Sequence, residues 1–319
     1  MRSIKYSVVV PVYNRPEELK ELLTSLTIQT FKDFEVIVVE DGSTITSQKV
    51  VEDFSQQLTI QYAVKPNTGP GPSRNFGFGL AKGDFFVVFD SDCILPSTYF
   101  DAVNLSLQQY EWDAWGGPDR GHPTFTNVQR AMAYTMSSVL TTGGIRGADK
   151  QIGRFQPRSF NMGISRKVWE VTQGFAFDRM AEDIELSIRM FKHGFKVGLV
   201  PGAFVYHKRR STFQQFFRQV SNFGRGRVRV GKSHPGEVKL VHWFPLIFSL
   251  GLVFIPMLAF ISSGLFILAL STYVIYLVAI FLDAWYLTRS LSVALLSIPS
   301  VLTQMMGYGS GFAREVIFR

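Results

Sequence analysis

Apolar residues in the N-terminal part of the chain come in short blocks, at Tyr6 to Val12, Phe34 to Val39, Thr59 to Val64 and Phe85 to Phe89. Each block has the length of a buried strand and is bounded by polar or turn residues. Between them, the apolar spacing predicts helices near Pro16 to Gln29, Ser47 to Gln57 and Ser73 to Ala81. Strands that alternate with helices and are apolar on both faces belong to a parallel sheet covered on both sides. The predicted fold class is therefore α/β, a mostly parallel sheet flanked by helices. From Trp112 to Pro157 the glycine-rich chain loses its periodicity, which predicts irregular structure and short strands. Helices at about Arg166 to Gln173 and Glu182 to His193, with a strand at Lys196 to Pro201, complete this part. The first strand is followed by no Gly-x-Gly-x-x-Gly turn and the chain has no Walker lysine motif, which argues against dinucleotide and P-loop sites.

The pattern changes after Val238. Residues 241–262 and 264–282 contain no Asp, Glu, Lys or Arg. Each is close to the about 20 residues that cross a bilayer core, whereas helices of a soluble core normally keep a polar face. With so little chain between them, the two predict a tight membrane hairpin. A third apolar stretch, 291–308, holds Pro299, Gln304 and Gly307. It fits a span, a re-entrant segment or an interfacial helix. The chain thus divides into a domain over 1–238, ending in a basic juxtamembrane segment over 208–238, and a C-terminal transmembrane helical region over 239–319.

The formal charge of +8 has an address. Lys208, Arg209, Arg210, Arg218, Arg225, Arg227, Arg229 and Lys232 follow one another with no acidic residue among them. Just before a span, such a run places the preceding domain in the cytoplasm of a multi-pass protein of the cell membrane. It also makes anionic lipid, and not nucleic acid, the natural partner of this charge. The single cysteine, Cys93, excludes an intrachain disulfide and agrees with a reducing compartment. Tyr6 to Val12 reads as a strand and not as the apolar core of a secretion signal.

Candidate chemistry collects where the predicted strands end. The run Phe85 to Phe89 leads straight into Asp90-Ser91-Asp92. Ligands gather at the carboxyl ends of parallel strands, and on an extended chain Asp90 and Asp92 point to one side, where they could share a divalent cation and a diphosphate. The first strand ends in Pro11-Val12-Tyr13-Asn14 and the second in Glu40-Asp41-Gly42-Ser43, so that Asp41 could accept a hydrogen bond from a nucleotide base. Gly69 and Arg74, in a glycine-rich approach to a helix, suit a diphosphate. Glu182 and Asp183 open a helix, where a carboxylate can serve as a base toward an acceptor hydroxyl. Alone, each of these also reads as a common turn, cap or dipole partner.

In order and spacing, the set from Val8 to His207 resembles glycosyltransferase family 2, inverting enzymes of the GT-A fold. It comprises the Val-Val-Val-Pro-Val-Tyr-Asn start, Glu40-Asp41-Gly42-Ser43, Asn67-Thr68-Gly69 with Ser73-Arg74-Asn75-Phe76-Gly77, Asp90-Ser91-Asp92, Asn161 with Arg166, and Glu182-Asp183. The resemblance implies a nucleotide-sugar donor, UDP- or GDP-linked, bound by Pro11, Tyr13, Asn14, Asp41, Gly69, Arg74, Asp90 and Ser91. It implies a divalent cation, Mn²⁺ or Mg²⁺, at Asp92 and Asp90, with His207 able to complete the site. Asp183 becomes the catalytic base, with Glu182 beside it, and Asn161, Arg209 and Arg210 candidates for binding acceptor or phosphate. Two departures stand out. Gln173-Gly174-Phe175-Ala176-Phe177-Asp178 replaces a Gly-Gly-Phe-Asp turn, and no Gln-x-x-Arg-Trp motif of processive relatives is present.

The expected function is transfer of one sugar to a lipid-linked acceptor at the membrane, in polysaccharide or glycan assembly. Its rivals are transfer directly to polyprenyl phosphate and a non-catalytic nucleotide-sugar-binding scaffold. A channel or transporter is disfavoured because the two spans lack ionisable residues that would line a pathway.

Overall fold

The computed structural model describes residues 5–121, 125–142, 154–208 and 210–318. In chain order, β1 (Tyr6–Val12), α1 (Pro16–Thr27), β2 (Phe34–Asp41), α2 (Gln48–Phe54), β3 (Ile60–Lys65), α3 (Pro70–Leu80) and β4 (Phe85–Phe89) follow the predicted alternation. Then come β5 (Cys93–Ile94), α4 (Tyr99–Tyr110), β6 (Ala114–Gly116), β7 (Asp119–Arg120), α5 (Asn127–Ser137) and α6 (Val139–Thr142). They are followed by β8 (Asn161–Ser165), α7 (Arg166–Thr172), α8 (Glu182–Lys192), β9 (Val197–Leu199) and β10 (Val205–His207). Four helices remain: α9 (Phe213–Ser233), α10 (Phe244–Leu258), α11 (Ser263–Thr288) and α12 (Leu291–Ile317). The described residues form two compact units, one from 5–121 and 154–208, the other from 125–142 and 210–318.

The first unit is built on a seven-stranded sheet in the order β3-β2-β1-β4-β8-β6-β9. All neighbours are parallel except β8, which runs antiparallel to both β4 and β6. Alternation along the strands divides the core in two. Val8, Val10, Val36, Val38, Val87 and Phe89 face one cluster, with Leu19 and Leu22 of α1 and Phe100 of α4. Val9, Ile37, Val39, Phe86 and Val88 face the other, with Phe78 of α3 and Leu186 of α8. Each such side chain contributes about 1.5–3 kcal/mol by leaving water, so the central strands are fixed and their carboxyl ends have a defined place. A small second sheet, β5-β10-β7, brings His207 beside Cys93 in antiparallel register.

The second unit is helical. The stretch Leu240–Leu258, α11 and α12 are each long and apolar enough to cross a membrane. Two elements join them that the sequence pattern had placed elsewhere. α5 lies in the region expected to be irregular, and α9 carries most of the basic segment.

Candidate active site

β4 stops at Phe89 and the chain turns, with the Cys93 backbone N–H donating to Asp90 O at 3.1 Å. The extended geometry that would send Asp90 and Asp92 to one side therefore ends one residue too early, and the carboxylates take different partners. Asp90 Oδ1 accepts from Arg74 Nη2 at 2.7 Å, and Asp92 Oδ2 from Arg15 Nη1 at 2.7 Å.

Arg74 sits on α3 and is only 2 % exposed. Its Nη1 donates to Glu182 Oε1 at 2.8 Å, so one guanidinium bridges the end of β4 and the first residue of α8. Burial pushes the Glu182 carboxyl up; Arg74 opposes this and the neighbouring Asp183 adds to it. Asp183 Oδ2 lies 3.6 Å from Arg158 Nη1, and its Oδ1 accepts the Ile184 backbone N–H at 2.8 Å. Just before this pair, Met180 and Ala181 both adopt left-handed backbone, at φ 60° and 63°. Two non-glycine residues in that region cost roughly 1–2 kcal/mol each; strain of this kind is concentrated at functional sites.

The loop that leads to it is clamped onto α3. Asn75 Nδ2 donates to Phe175 O, and Asn75 Oδ1 accepts the Phe175 backbone N–H, both at 2.8 Å. At Gly71 the approach is closest, since a Cβ there would lie 2.0 Å from Phe177 O. The departure from the family turn is thus accommodated by glycine on the opposing helix.

Asp92 is buried against His207 of β10. Its Oδ1 lies 3.1 Å from His207 Nε2 and accepts no hydrogen bond among the described residues. Burial opposes its charge, but His207 and Arg15 hold its carboxyl well below the usual carboxylate range. Asp92, Cys93 and His207 offer ligand atoms within 4.8 Å of one another. Burial pushes the Cys93 thiol up, and a soft sulfur donor is not the type that Mn²⁺ or Mg²⁺ favours. The Asp92 carboxylate is the donor type that Mn²⁺ or Mg²⁺ accepts, and the His207 imidazole adds a nitrogen donor suited to a transition-metal ion, so the two residues fit Mn²⁺ better than Mg²⁺. Asp90, turned toward Arg74, is not among them.

At the end of β2 the Asp41 carboxylate accepts from Lys65 Nζ at 2.7 Å and from the backbone N–H groups of Thr68 and Gly69 at 3.0 Å. Burial works against its charge, yet these donors outweigh it and lower its pKa. Glu40 faces the other way and accepts from Ser43 Oγ, from the Ser47 backbone N–H at 2.7 Å and from Tyr62 Oη at 3.0 Å. Asn14, in left-handed backbone at φ 53°, accepts the backbone N–H groups of Thr44 and Ile45 and so ties the end of β1 to the turn after β2.

Residues 7–163 match the family model described as Glycosyl transferase family 2. The chain carries a family 2 glycosyltransferase domain. It is 34 % identical over 110 residues to glycosyltransferase GlyA of Streptococcus pneumoniae, covering 34 % of this chain and 16 % of GlyA. It is 26 % identical over 235 residues to the probable glycosyltransferase YdaM of Bacillus subtilis, covering 70 % and 55 %. The chain spans less than a fifth of the length of the first curated relatives it matches. Among solved structures, the mannosyltransferase PcManGT from Pyrobaculum calidifontis, in complex with GDP-Man and Mn²⁺, aligns with a TM-score of 0.63 at 16 % identity, covering 95 % of this chain and 87 % of that one. Staphylococcus aureus TarS in complex with UDP-GlcNAc aligns at 0.51 and 17 % identity, covering 97 % and 91 %. At these identities the likeness shows the fold, which is the GT-A arrangement expected.

Other residues of this glycosyltransferase domain have plain placements. Pro11 is buried in β1, and Tyr13 is 51 % exposed beyond its end. Gly69 precedes α3 at φ 102°, and Ser91 is buried in the turn after β4. Asn161 is fully buried, accepting from Tyr99 Oη at 2.7 Å and donating to Ala203 O at 2.8 Å. Arg166 donates to Gly83 O at 2.7 Å. Arg210 belongs to the second unit, and Arg209 lies outside the described residues. Arg15 and Arg158, which the motif reading passed over, both reach its carboxylates. Arg15 carried one signal, its position three residues past Val12, at the carboxyl end of β1.

Proposed function

We propose that the protein moves one sugar from a UDP- or GDP-linked donor to a lipid-linked acceptor hydroxyl at the cytoplasmic face of the cell membrane, with inversion, in assembly of a polysaccharide or glycan. One observation carries this reading. Asp41, Asp90, Asp92, Glu182 and Asp183 gather at the carboxyl ends of β2 and β4 and the first turn of α8, with Arg74 and Arg15 holding three of them. Fold neighbours described with GDP-Man and UDP-GlcNAc support a nucleotide-sugar donor.

In this reading Asp41 meets the N–H edge of the base, and the exposed Tyr13 ring lies against its face. Gly69, at a φ of 102° that favours glycine, leads the chain into the start of α3, which approaches the diphosphate. Asp92 and His207 would hold a divalent cation, which when bound supplies Lewis-acid stabilisation of the leaving diphosphate. Asp183 takes the proton of the acceptor hydroxyl as its oxygen bonds to the anomeric carbon. The bond from that carbon to the diphosphate oxygen breaks, and its electron pair leaves with the diphosphate. Glu182, fixed by Arg74 and by Ser159 Oγ at 3.3 Å, positions the base and acceptor.

The test is a panel of nucleotide sugars incubated with the purified full chain and Mn²⁺ or Mg²⁺, scored by nucleoside diphosphate release. Release with one donor, lost in Asp92→Ala and in Asp183→Asn, supports the reading. Release that survives both substitutions unchanged removes these residues from the mechanism. Radiolabel recovered on polyprenyl monophosphate would reassign the acceptor.

A further inference from the structure

The three apolar helices of the second unit differ in their surroundings. In α12, 44 % of the most apolar stretch is buried inside the protein, against 11 % for Leu240–Leu258 and 6 % for α11. The neighbours of α12 explain the difference. Its first half packs on the carboxyl-terminal part of α11, with Ala294 and Val301 in one cluster with Ile280 and Ala284. Its second half packs on the amino-terminal part of α10. There Ser249 Oγ donates to Met305 O at 3.1 Å, a Cβ on Gly309 would lie 2.8 Å from Pro245 O, and the Trp243 and Phe312 rings meet at 4.8 Å. α10 and α11 form an antiparallel hairpin in which Phe248 and Gly251 face Tyr273. The start of α10 and the end of α11 therefore share one end of the hairpin, and α12 runs across that end.

The helix alongside it fixes the depth. A Cβ on Gly307 would lie 2.5 Å from Val220, one on Gly224 would lie 2.2 Å from Tyr308 O, and one on Gly311 would lie 2.0 Å from Ser221 O. Further on, Arg225 Nε reaches Glu315 Oε2 and Lys232 Nζ reaches Glu315 O, both at 3.1 Å. The earlier partners advance together, so α9 and α12 run parallel and closely packed. α9 carries Arg218, Arg225, Arg227, Arg229 and Lys232. A helix with five cations does not settle in hydrocarbon, and a helix packed along it shares its depth.

We infer that α12 does not cross the bilayer. With α9 it forms a shelf in the headgroup layer at the near end of the α10–α11 hairpin, and the carboxyl end of α12 lies on the side from which the chain enters α10. The partner of this shelf is an anionic lipid surface. The exposed Arg218 and Lys232 meet its charge, while Leu240 and Ile317, 90 % and 69 % exposed, enter its apolar boundary. This arrangement also keeps Arg314 on the basic side of the hairpin, as the positive-inside tendency requires. It is independent of the proposed activity.

Single cysteines test it in the full chain in sealed vesicles of known orientation, with a membrane-impermeant maleimide. Phe318→Cys and Lys239→Cys should label from the same face, and Ser263→Cys at the hairpin tip from the opposite face. The unsubstituted chain, whose Cys93 is buried, gives the background. Labelling of Phe318→Cys from the face that labels Ser263→Cys overturns the inference. A protease site appended after Arg319 reads the same question without thiol chemistry. Cleavage in the orientation that exposes residue 239 supports the shelf, and cleavage only in the other orientation contradicts it.

Discussion

Both ends of the seven-stranded sheet bury carboxylates, in different company. At the amino end, Glu35 Oε1 accepts from Ser7 Oγ and from the Lys82 backbone N–H, each at 2.6 Å. Ser7 Oγ in turn accepts the Gly83 backbone N–H at 2.8 Å. These partners are neutral and belong to packed segments, so the corner is complete in itself. At the carboxyl end, the partners are the cations Arg15, Arg74 and Lys65, together with His207. A buried carboxylate is therefore no sign of chemistry by its presence. What marks a site is a set of carboxylates balanced by cationic groups where strands end and the backbone opens.

The contrast is sharpest in activity. Asp92→Ala should lower transfer by at least about 10³-fold, because Lewis-acid stabilisation is worth several kcal/mol. Chelation of the wild-type chain should bring it to the same level, and added Mn²⁺ should restore the wild type but not the variant. Transfer indifferent to both treatments would erase the difference between the two ends.

The next effect is on stability. Arg74→Leu leaves Asp90 and Glu182 without their shared cation, and breaking a buried pair from one side costs about 3–5 kcal/mol. The unfolding midpoint in detergent should fall well below that of the wild type; an unchanged midpoint would mean that the bridge is dispensable.

At the other end, Glu35→Ala strands the Ser7 hydroxyl and the Lys82 N–H. The expected cost is about 1–3 kcal/mol, with transfer per folded molecule unchanged. A loss of turnover larger than the loss of folded protein would make the amino end part of the site.

The smallest effect is in acid. Asp41 has a lowered folded-state pKa, so its stabilising contribution is full above the unfolded carboxyl value of about 3.9 and is lost as pH falls through the lower folded value. Thermal unfolding of Asp41→Asn between roughly pH 5 and pH 2 should show a shallower acid decline than the wild type. Equal slopes would mean that Lys65 and the loop amides do not favour the charged form.

Much of the first unit was legible because its central strands are uninterrupted apolar runs. Tyr6–Val12 and Phe85–Phe89 begin and end where the residue type changes. What escaped the pattern has physical reasons. α5 buries Ala131, Met132, Tyr134, Thr135 and Met136 among the helices of the second unit, so its sequence matches no partner near it in the chain. α9 reads as a basic linker because its glycines lower helix propensity; in the structure Gly224 is where it approaches α12 closely. β5, β7 and β10 are two or three residues long, too short for any period to show. The separation of Asp90 from Asp92 depends on a turn one residue after β4, and alternation holds only while a strand lasts. Arg15 reaches Asp92 across 77 positions, a pairing that the fold alone creates.

The most direct measurement pairs donor binding with transfer in Asp183→Asn. Binding of the nucleotide sugar, followed by calorimetry with the divalent cation present, should stay within a few-fold of the wild type, while transfer to acceptor falls by about 10²–10⁴-fold, the range for loss of a positioned base. Transfer at the wild-type rate by a variant that still binds donor would contradict the assignment of Asp183, and with it the account of what the carboxyl end of this sheet is for.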